Sequence, residues 1–71
     1  MRNVLIAIGN SGELALAAVA ERLLGDPSPL VRGAAVWALA RLVPGARMRE
    51  LRVDREAGEP DQGVREEWAA A

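Results

Sequence analysis

Two apolar segments of this 71-residue chain repeat each other at an offset of 31 residues, and this repeat constrains the fold more than any other feature. The offset pairs Leu5 with Val36, Ile6 with Trp37, Ala7 with Ala38 and Ile8 with Leu39. A period of about 30 residues is typical of an α-solenoid, in which each unit has two helices and neighbouring units cover each other's apolar faces. The sequence therefore predicts an all-α fold, a short α-solenoid of helical hairpins with about two repeats.

The clearest helix start is at Ser28, because a serine hydroxyl accepts a hydrogen bond from the first free amides of a helix. Pro29 follows at the first helical position, where its missing amide hydrogen costs nothing. Apolar stripes at positions i, i+3, i+4 and i+7 predict further helices on either side. The predicted elements of a single domain over residues 1–71 are helices over 2–9, 14–24, 29–42 and 63–70, a short helix over 46–52 and a flexible link over 54–63.

The first helix has only Met1 in front of it, so its first amides lack a side-chain cap. Because this helix aligns with the second helix of the following hairpin, we expect it to be the second helix of an incomplete unit in a longer array. A weaker echo near the C-terminus predicts a degenerate closing helix, since Asp61, Val64 and Arg65 match Asp26, Val31 and Arg32.

The composition leaves little room for catalysis or metal binding. The chain has no Cys, His, Tyr or Lys, which removes disulfides, iron–sulfur clusters, zinc sites and the usual partners of a nucleophilic serine. Its only serines, Ser11 and Ser28, lie in turn sequences. We therefore expect no catalytic residue, no metal, no cofactor in this chain and no enzymatic activity.

Charge and hydropathy suggest a cytoplasmic protein without a membrane contact. The longest apolar stretch is far shorter than the roughly 20 residues that a membrane span needs, and no signal peptide is recognisable. The net charge is −1, and all nine basic residues are arginine. The densest basic stretch is interpreted as a solvated charged face, with phosphate contacts as the alternative; it comprises Arg41, Arg47, Arg49, Arg52 and Arg55.

The segments "RNVLIAIGNSG" and "DPSPLVRGAAVWALARL" resemble HEAT-like (PBS lyase-type) helical repeats, and more specifically the C-terminal region of tRNA epoxyqueuosine reductase. The resemblance covers residues 2–42 and, loosely, residues 61–71. It implies a role in the last step of queuosine biosynthesis in the tRNA anticodon. The enzyme family uses a cobalamin-type cofactor and two [4Fe–4S] clusters, which lie in upstream domains with cysteines that this chain does not have. The implied partner is thus the upstream catalytic domain.

The same resemblance implies a set of nucleic-acid-binding residues: Arg2, Asn3 and Asn10 in the first matched segment and Arg32 in the second. These side chains would reach phosphates and 2′-hydroxyls of the tRNA anticodon stem-loop. Structural alternatives remain for three of them. Arg32 would pair with Asp26, Asn10 would follow a helix end, and Asn3 would be a polar spacer.

Two functions follow from the sequence. The first is a non-catalytic HEAT-like domain that assists tRNA anticodon stem-loop binding in queuosine biosynthesis. The alternative is a free-standing helical-repeat module for protein–protein interaction, with apolar faces on the first helix and on residues 31–42 that also favour a homodimer. Trp37 and Trp68 are expected to pack in the core and to seal the end of the array, respectively.

Overall fold

The computed structural model describes all 71 residues and contains helices and turns but no strand. The five α-helices are α1 (Arg2–Ser11), α2 (Ala17–Leu23), α3 (Pro29–Leu42), α4 (Gly45–Arg55) and α5 (Gln62–Ala70). Two 3₁₀ turns, Leu14–Leu16 and Glu56–Gly58, precede α2 and follow α4. None of the helices combines the length and apolar character needed to cross a membrane. The predicted all-α class is confirmed.

Helix α3 lies between α1 and α5, so these three helices form one layer. On one side, the backbone of Gly9 in α1 packs closely against Trp37 of α3. On the other side, Gly33 of α3 faces Val64 of α5. This arrangement explains why the sequence of α3 is apolar nearly all round: the helix needs neighbours in several directions.

Helices α2 and α4 form the second layer. Helix α2 packs against α3, and Glu21 of α2 accepts a 2.6 Å hydrogen bond from Arg47 of α4. From α4, Met48 and Leu51 enter the core. The molecule measures 29 × 26 × 18 Å, and its shortest dimension matches two layers of helices whose axes lie about 8–10 Å apart. The fold is thus a short α-solenoid, as predicted.

A single cluster of thirteen buried apolar residues joins the two layers. Four of them are alanines, and small side chains allow helices to approach closely. The cluster comprises Leu5, Ile8, Ala17, Ala20, Leu24, Ala35, Val36, Ala38, Leu39, Met48, Leu51, Val64 and Trp68. Helices α1, α2, α3, α4 and α5 all contribute, so no helical hairpin buries its apolar face alone.

The bounds of α3 coincide with the predicted helix over 29–42, and the amide of Val31 donates to Oγ of Ser28 at 3.5 Å. Helix α1 is longer than expected because the Gly-Asn-Ser segment continues the helix. Its end comes at Gly12, whose φ of 70° is a left-handed conformation suited to glycine. As predicted, no side chain caps the N-terminus of α1.

The largest difference from the predicted elements concerns residues 46–63. Helix α4 begins at Gly45 and continues to Arg55, where the expected helix covers only 46–52. An ion pair of 3.0 Å between Arg52 and Glu56 lies at i, i+4 spacing over the end of this helix. The segment 54–63, expected as a flexible link, contains a 3₁₀ turn and the 8% exposed Glu59, which is bound to Arg32.

The contacts of α3 with α1 and with α5 predict opposite effects for two glycine-to-alanine substitutions, one at each contact. A Cβ on Gly9 would lie 2.5 Å from Cζ3 of Trp37 and 3.2 Å from Cα of Ala38, so Gly9→Ala should lower the free energy of unfolding by about 1–3 kcal/mol. A Cβ on Gly33 would meet its nearest atoms at 3.7 and 3.9 Å, which is ordinary contact. Gly33→Ala should therefore raise that free energy by about 0.5–1 kcal/mol. Urea unfolding measures both, and a shift in the same direction would contradict the packing described.

Candidate functional site

An open groove with a volume of about 470 Å³ crosses the layer formed by α1, α3 and α5. Helices α1 and α5 provide its walls, and α3 provides its floor. We call this cavity the α3 groove, and its lining residues are Arg2, Ile6, Asn10, Pro29, Leu30, Gly33, Ala34, Trp37, Asp61, Gly63, Val64 and Glu67. A second cavity of about 410 Å³ has only one hydrophobic lining residue, and a third has a volume of only about 130 Å³.

The α1 wall is a consequence of helical periodicity. Arg2, Ile6 and Asn10 occur at i, i+4 and i+8, a spacing that places side chains one above the other on the same face of a helix. Ile6 is exposed in the middle, with a charged side chain at one end and an amide at the other. This wall can therefore make an apolar contact flanked by hydrogen bonds.

The floor consists of apolar residues of α3 that the rest of the molecule leaves uncovered. Leu30 is 71% exposed. Ala34 and Trp37 follow at i+4 and i+7 and are half-buried. Trp37 was expected in the core, but it is half-buried and packs against the core cluster, with one edge of its ring against the backbone of Gly9 in α1.

Arg41 fixes the position of the Trp37 ring. Its guanidinium carbon lies 5.2 Å from the centre of the ring, a distance suited to a cation–π interaction. Its Nε also donates a 3.1 Å hydrogen bond to the carbonyl oxygen of Gly9. Since α1, Trp37 and Arg41 hold one another, the floor of the α3 groove has a defined shape before any partner binds.

The α5 wall is acidic. Asp61 caps α5, and its Oδ2 accepts a 3.1 Å hydrogen bond from the amide of Val64. Glu67 lies farther along the same helix, is half-buried, and has no ion-pair or hydrogen-bond partner. With Arg2 on the opposite wall, the groove has one basic and two acidic side chains.

The structure brings together only some of the residues predicted to bind nucleic acid. Arg2 and Asn10 both line the α3 groove, on the same wall. Asn3 is exposed on α1 but does not line the groove. Arg32 lies beside a different, polar cavity near the end of α4, so the four residues do not form a single surface.

The guanidinium of Arg32 is used inside the fold. Its Nε and one terminal nitrogen each donate a 2.9 Å hydrogen bond to the carboxylate of Glu59, a bidentate geometry. Its other terminal nitrogen donates to the carbonyl oxygens of Asp26 and Pro27, at 2.9 and 3.0 Å. Arg32 therefore contacts Asp26, as the structural alternative predicted, but through the backbone carbonyl; the carboxylate of Asp26 accepts from the amide of Ser28 and makes no ion pair with Arg32. The partner in the structure is Glu59.

The ion pair between Arg32 and Glu59 shifts the pKa of both side chains. The hydrogen bonds from Arg32, helped by the amide of Asp61, hold the pKa of Glu59 below its usual range against the opposing effect of burial. The hydrogen bond to Glu59 in turn raises the pKa of Arg32. On the other side of the molecule, the hydrogen bond to Glu21 raises the pKa of Arg47.

The lowered pKa of Glu59 predicts a pH dependence of stability. A carboxylate whose pKa is lower in the folded chain stabilises the fold above its unfolded pKa, about 4.3 for Glu, and this contribution is lost as the pH falls through the folded pKa. Glu59→Gln should therefore destabilise the chain at pH 7 and have progressively less effect below about pH 4. Urea unfolding across this range measures the difference. The exposed Glu66→Gln is the control, and an effect of Glu59→Gln that is the same at pH 3 and pH 7 would contradict the prediction.

Of the twelve residues that line the α3 groove, sequence reasoning named only Arg2 and Asn10 as binding residues, and it missed Leu30, Asp61 and Glu67 among the others. One signal was available: Leu30, Ala34 and Trp37 form a second stripe at i, i+4 and i+7 on α3, beside the stripe used to predict the core. For the acidic wall the sequence offered only the weak echo of Asp61 and Val64, which predicts a closing helix but does not show which side chains of α5 face the groove.

The two serine hydroxyls take part in local hydrogen bonds at helix ends. Ser11 donates from Oγ to the carbonyl oxygen of Ile8 at 2.6 Å, and Ser28 caps α3. The structure has no group of three or more acidic side chains arranged to hold a metal ion. The α3 groove itself offers apolar, amide and charged side chains for contact with a binding partner.

Comparison with known proteins identifies a repeat in the middle of the chain. Residues 16–46 match the family model of the HEAT repeat, and this range contains α2, α3 and the start of α4. Neither the curated proteins nor the solved structures provide a match. The hairpin of α2 and α3 is therefore a HEAT-like helical repeat. The more specific resemblance to epoxyqueuosine reductase stays a prediction.

Proposed function

We propose that this chain is a non-catalytic helical-repeat module that binds a partner protein in the α3 groove. The observation that carries the proposal is the uncovered apolar floor, where Leu30 is 71% exposed beside the half-buried Trp37. Clustered apolar side chains with a polar rim are typical of protein-interaction sites. Repeat proteins commonly use the surfaces made by adjacent repeats for such binding.

The polar rim supports a specific contact. Arg2, Asn10 and Glu67 surround the apolar floor, and each side chain can pair with a partner at the edge of an interface. Arg41 keeps Trp37 in place, so little ordering of the floor is needed on binding. A rigid aromatic side chain at the centre of such a surface is a common source of binding energy.

A contact with the tRNA anticodon stem-loop, as part of a protein like epoxyqueuosine reductase, is the second candidate. Arg2 and Asn10 favour it, because they lie on the same wall and have free polar groups. The two acidic side chains on the opposite wall oppose it, since they repel phosphates. Arg32 also has its guanidinium bound to Glu59 and to two carbonyl groups.

Peptide display tests the proposed function. A library of random 16-residue peptides is selected on the chain, and the affinity of the enriched peptides is measured for Leu30→Asp. Because Leu30 is exposed, this substitution should leave the fold intact while weakening binding at least tenfold. Val53→Asp is the matched control, since Val53 is 80% exposed on α4, outside the groove, and it should bind like the parent.

Three outcomes would contradict the proposal: no enrichment, equal weakening by both substitutions, or no weakening by either. The RNA candidate is tested in parallel with an anticodon stem-loop. It predicts salt-dependent binding that Arg2→Ala reduces, because phosphate contacts release counterions. Such binding without any peptide enrichment would favour the RNA function over the protein partner.

A further inference from the structure

We infer that the occupant of the α3 groove is an amphipathic helix of a partner protein, about two turns of which contact the chain, with a Lys or Arg facing the α5 wall. This inference rests on the proposed function and adds the secondary structure and charge of the partner. Three observations carry it: the dimensions of the groove, the lack of backbone partners on its floor, and the acidic wall.

The dimensions of the groove suit a helix. Its α1 wall extends from Arg2 to Asn10, which at 1.5 Å per residue is about 12 Å, or roughly two helical turns. Neighbouring helix axes lie about 8–10 Å apart, so α1 and α5 are separated by about 16–20 Å across α3. Because each wall helix takes up about 5–6 Å of this separation, about 4–10 Å stays open, so a bound helix lies across the top of the groove and inserts the side chains of one face between the walls.

The floor favours a helix over an extended peptide. An extended peptide needs partners for its backbone N–H and C=O groups, whereas a helix satisfies them internally. The floor residues Leu30, Ala34 and Trp37 are apolar, and Ala34 and Trp37 lie in the interior of α3, where the helix uses their backbone groups. A helix that points apolar residues at i, i+3 or i+4, and i+7 toward this floor leaves no backbone group without a partner.

The acidic wall sets the charge of the bound helix. Asp61 and Glu67 lie on the same side of the groove, and Glu67 is half-buried without an ionic partner. A carboxylate in this position is stabilised by a cation that covers it, because covering it with an apolar or acidic group removes water without replacing the interaction. Arg2 alone supplies the opposite sign, at the far wall. The partner helix therefore has a Lys or Arg on the flank that faces α5.

Charge reversal on α5 tests the inference. The same peptide library is selected on three proteins: the parent chain, Glu67→Lys and Glu66→Lys. Glu66 is the matched control, because it is the neighbouring residue of α5 with the same charge but is exposed outside the groove. We expect peptides from the parent to have apolar residues at helical spacing and an enriched Lys or Arg. They should bind Glu67→Lys at least tenfold more weakly and Glu66→Lys nearly as well as the parent.

Selection on Glu67→Lys should instead enrich Asp or Glu at the same peptide position. Circular dichroism of individual peptides should show an increase in helix content on binding. Three results for peptides whose binding depends on Leu30 would overturn the inference. The peptides could lack a Lys or Arg, bind Glu67→Lys and Glu66→Lys equally well, or stay extended when bound. Those results would leave the proposed function standing. Two other results would overturn both the inference and the proposed function. The enriched peptides could bind Leu30→Asp as tightly as the parent, or the chain could self-associate through the groove and exclude every peptide.

Discussion

Replacing Trp68 with alanine should unfold the isolated chain at 25 °C. Trp68 is the largest fully buried side chain and fixes α5 against α4 and the core. A Trp-to-Ala substitution in a core costs about 3–5 kcal/mol. A single core in a chain of this size leaves about 3–5 kcal/mol of net stability, so the substitution removes most or all of it. Far-UV circular dichroism should show loss of the helical signal, and the emission of the remaining Trp37 should move to the wavelength of an exposed indole.

Val53→Ala is the control for this experiment, because Val53 is 80% exposed on α4. A surface substitution of this kind should change the free energy of unfolding by less than about 0.5 kcal/mol. If Trp68→Ala kept a cooperative unfolding transition at the parent's urea midpoint, α5 would not be anchored as the structure describes. One wall of the α3 groove would then be absent in solution.

Leu5→Ala should destabilise the chain by about 2–5 kcal/mol, which in so small a protein reduces the folded fraction severely. Leu5 is 0% exposed and belongs to the main core cluster, although it lies near the N-terminus. Terminal residues usually fray, so a large cost at this position would demonstrate that α1 packs as a full member of the layer. Urea unfolding followed by circular dichroism measures the effect.

The adjacent Val4→Ala provides the comparison, since Val4 is 50% exposed on the same helix. Both substitutions shorten an apolar side chain to alanine, and only burial differs strongly between the two positions. We expect Val4→Ala to change stability by less than about 0.5 kcal/mol. Equal, small effects at both positions would show that α1 is frayed in solution, and the α1 wall of the groove would be lost with it.

The parts of the fold with a local chemical signal could be predicted from the sequence. Helix α3 was predictable because the cap at Ser28, Pro29 and the apolar stripe all indicate the same element. The relation between α1 and α3 was predictable from the 31-residue offset, since Leu5 and Val36 occupy equivalent buried positions. The bounds of α3 are specified by adjacent residues, and the relation of α1 to α3 is specified by the repeat.

The parts set by contacts distant in the sequence were not predictable. Nothing near Arg32 indicates that its partner is Glu59, which is 27 residues away. The same contact explains why residues 54–63 have a defined conformation despite their glycine, proline and charges. Likewise, the close packing of the Trp37 ring against the backbone of Gly9 joins residues that are 28 positions apart in the sequence.

The position of α3 between α1 and α5 is the central claim, because the groove exists only if all three helices share a layer. Nuclear Overhauser measurements on the chain test it most directly, and with two tryptophans the indole signals are simple to assign. The structure predicts cross-peaks from the Trp37 ring to Gly9, and from Gly33 to the γ-methyl groups of Val64. A fully helical chain that lacks either set of cross-peaks would contradict the three-helix layer and the proposals based on the groove.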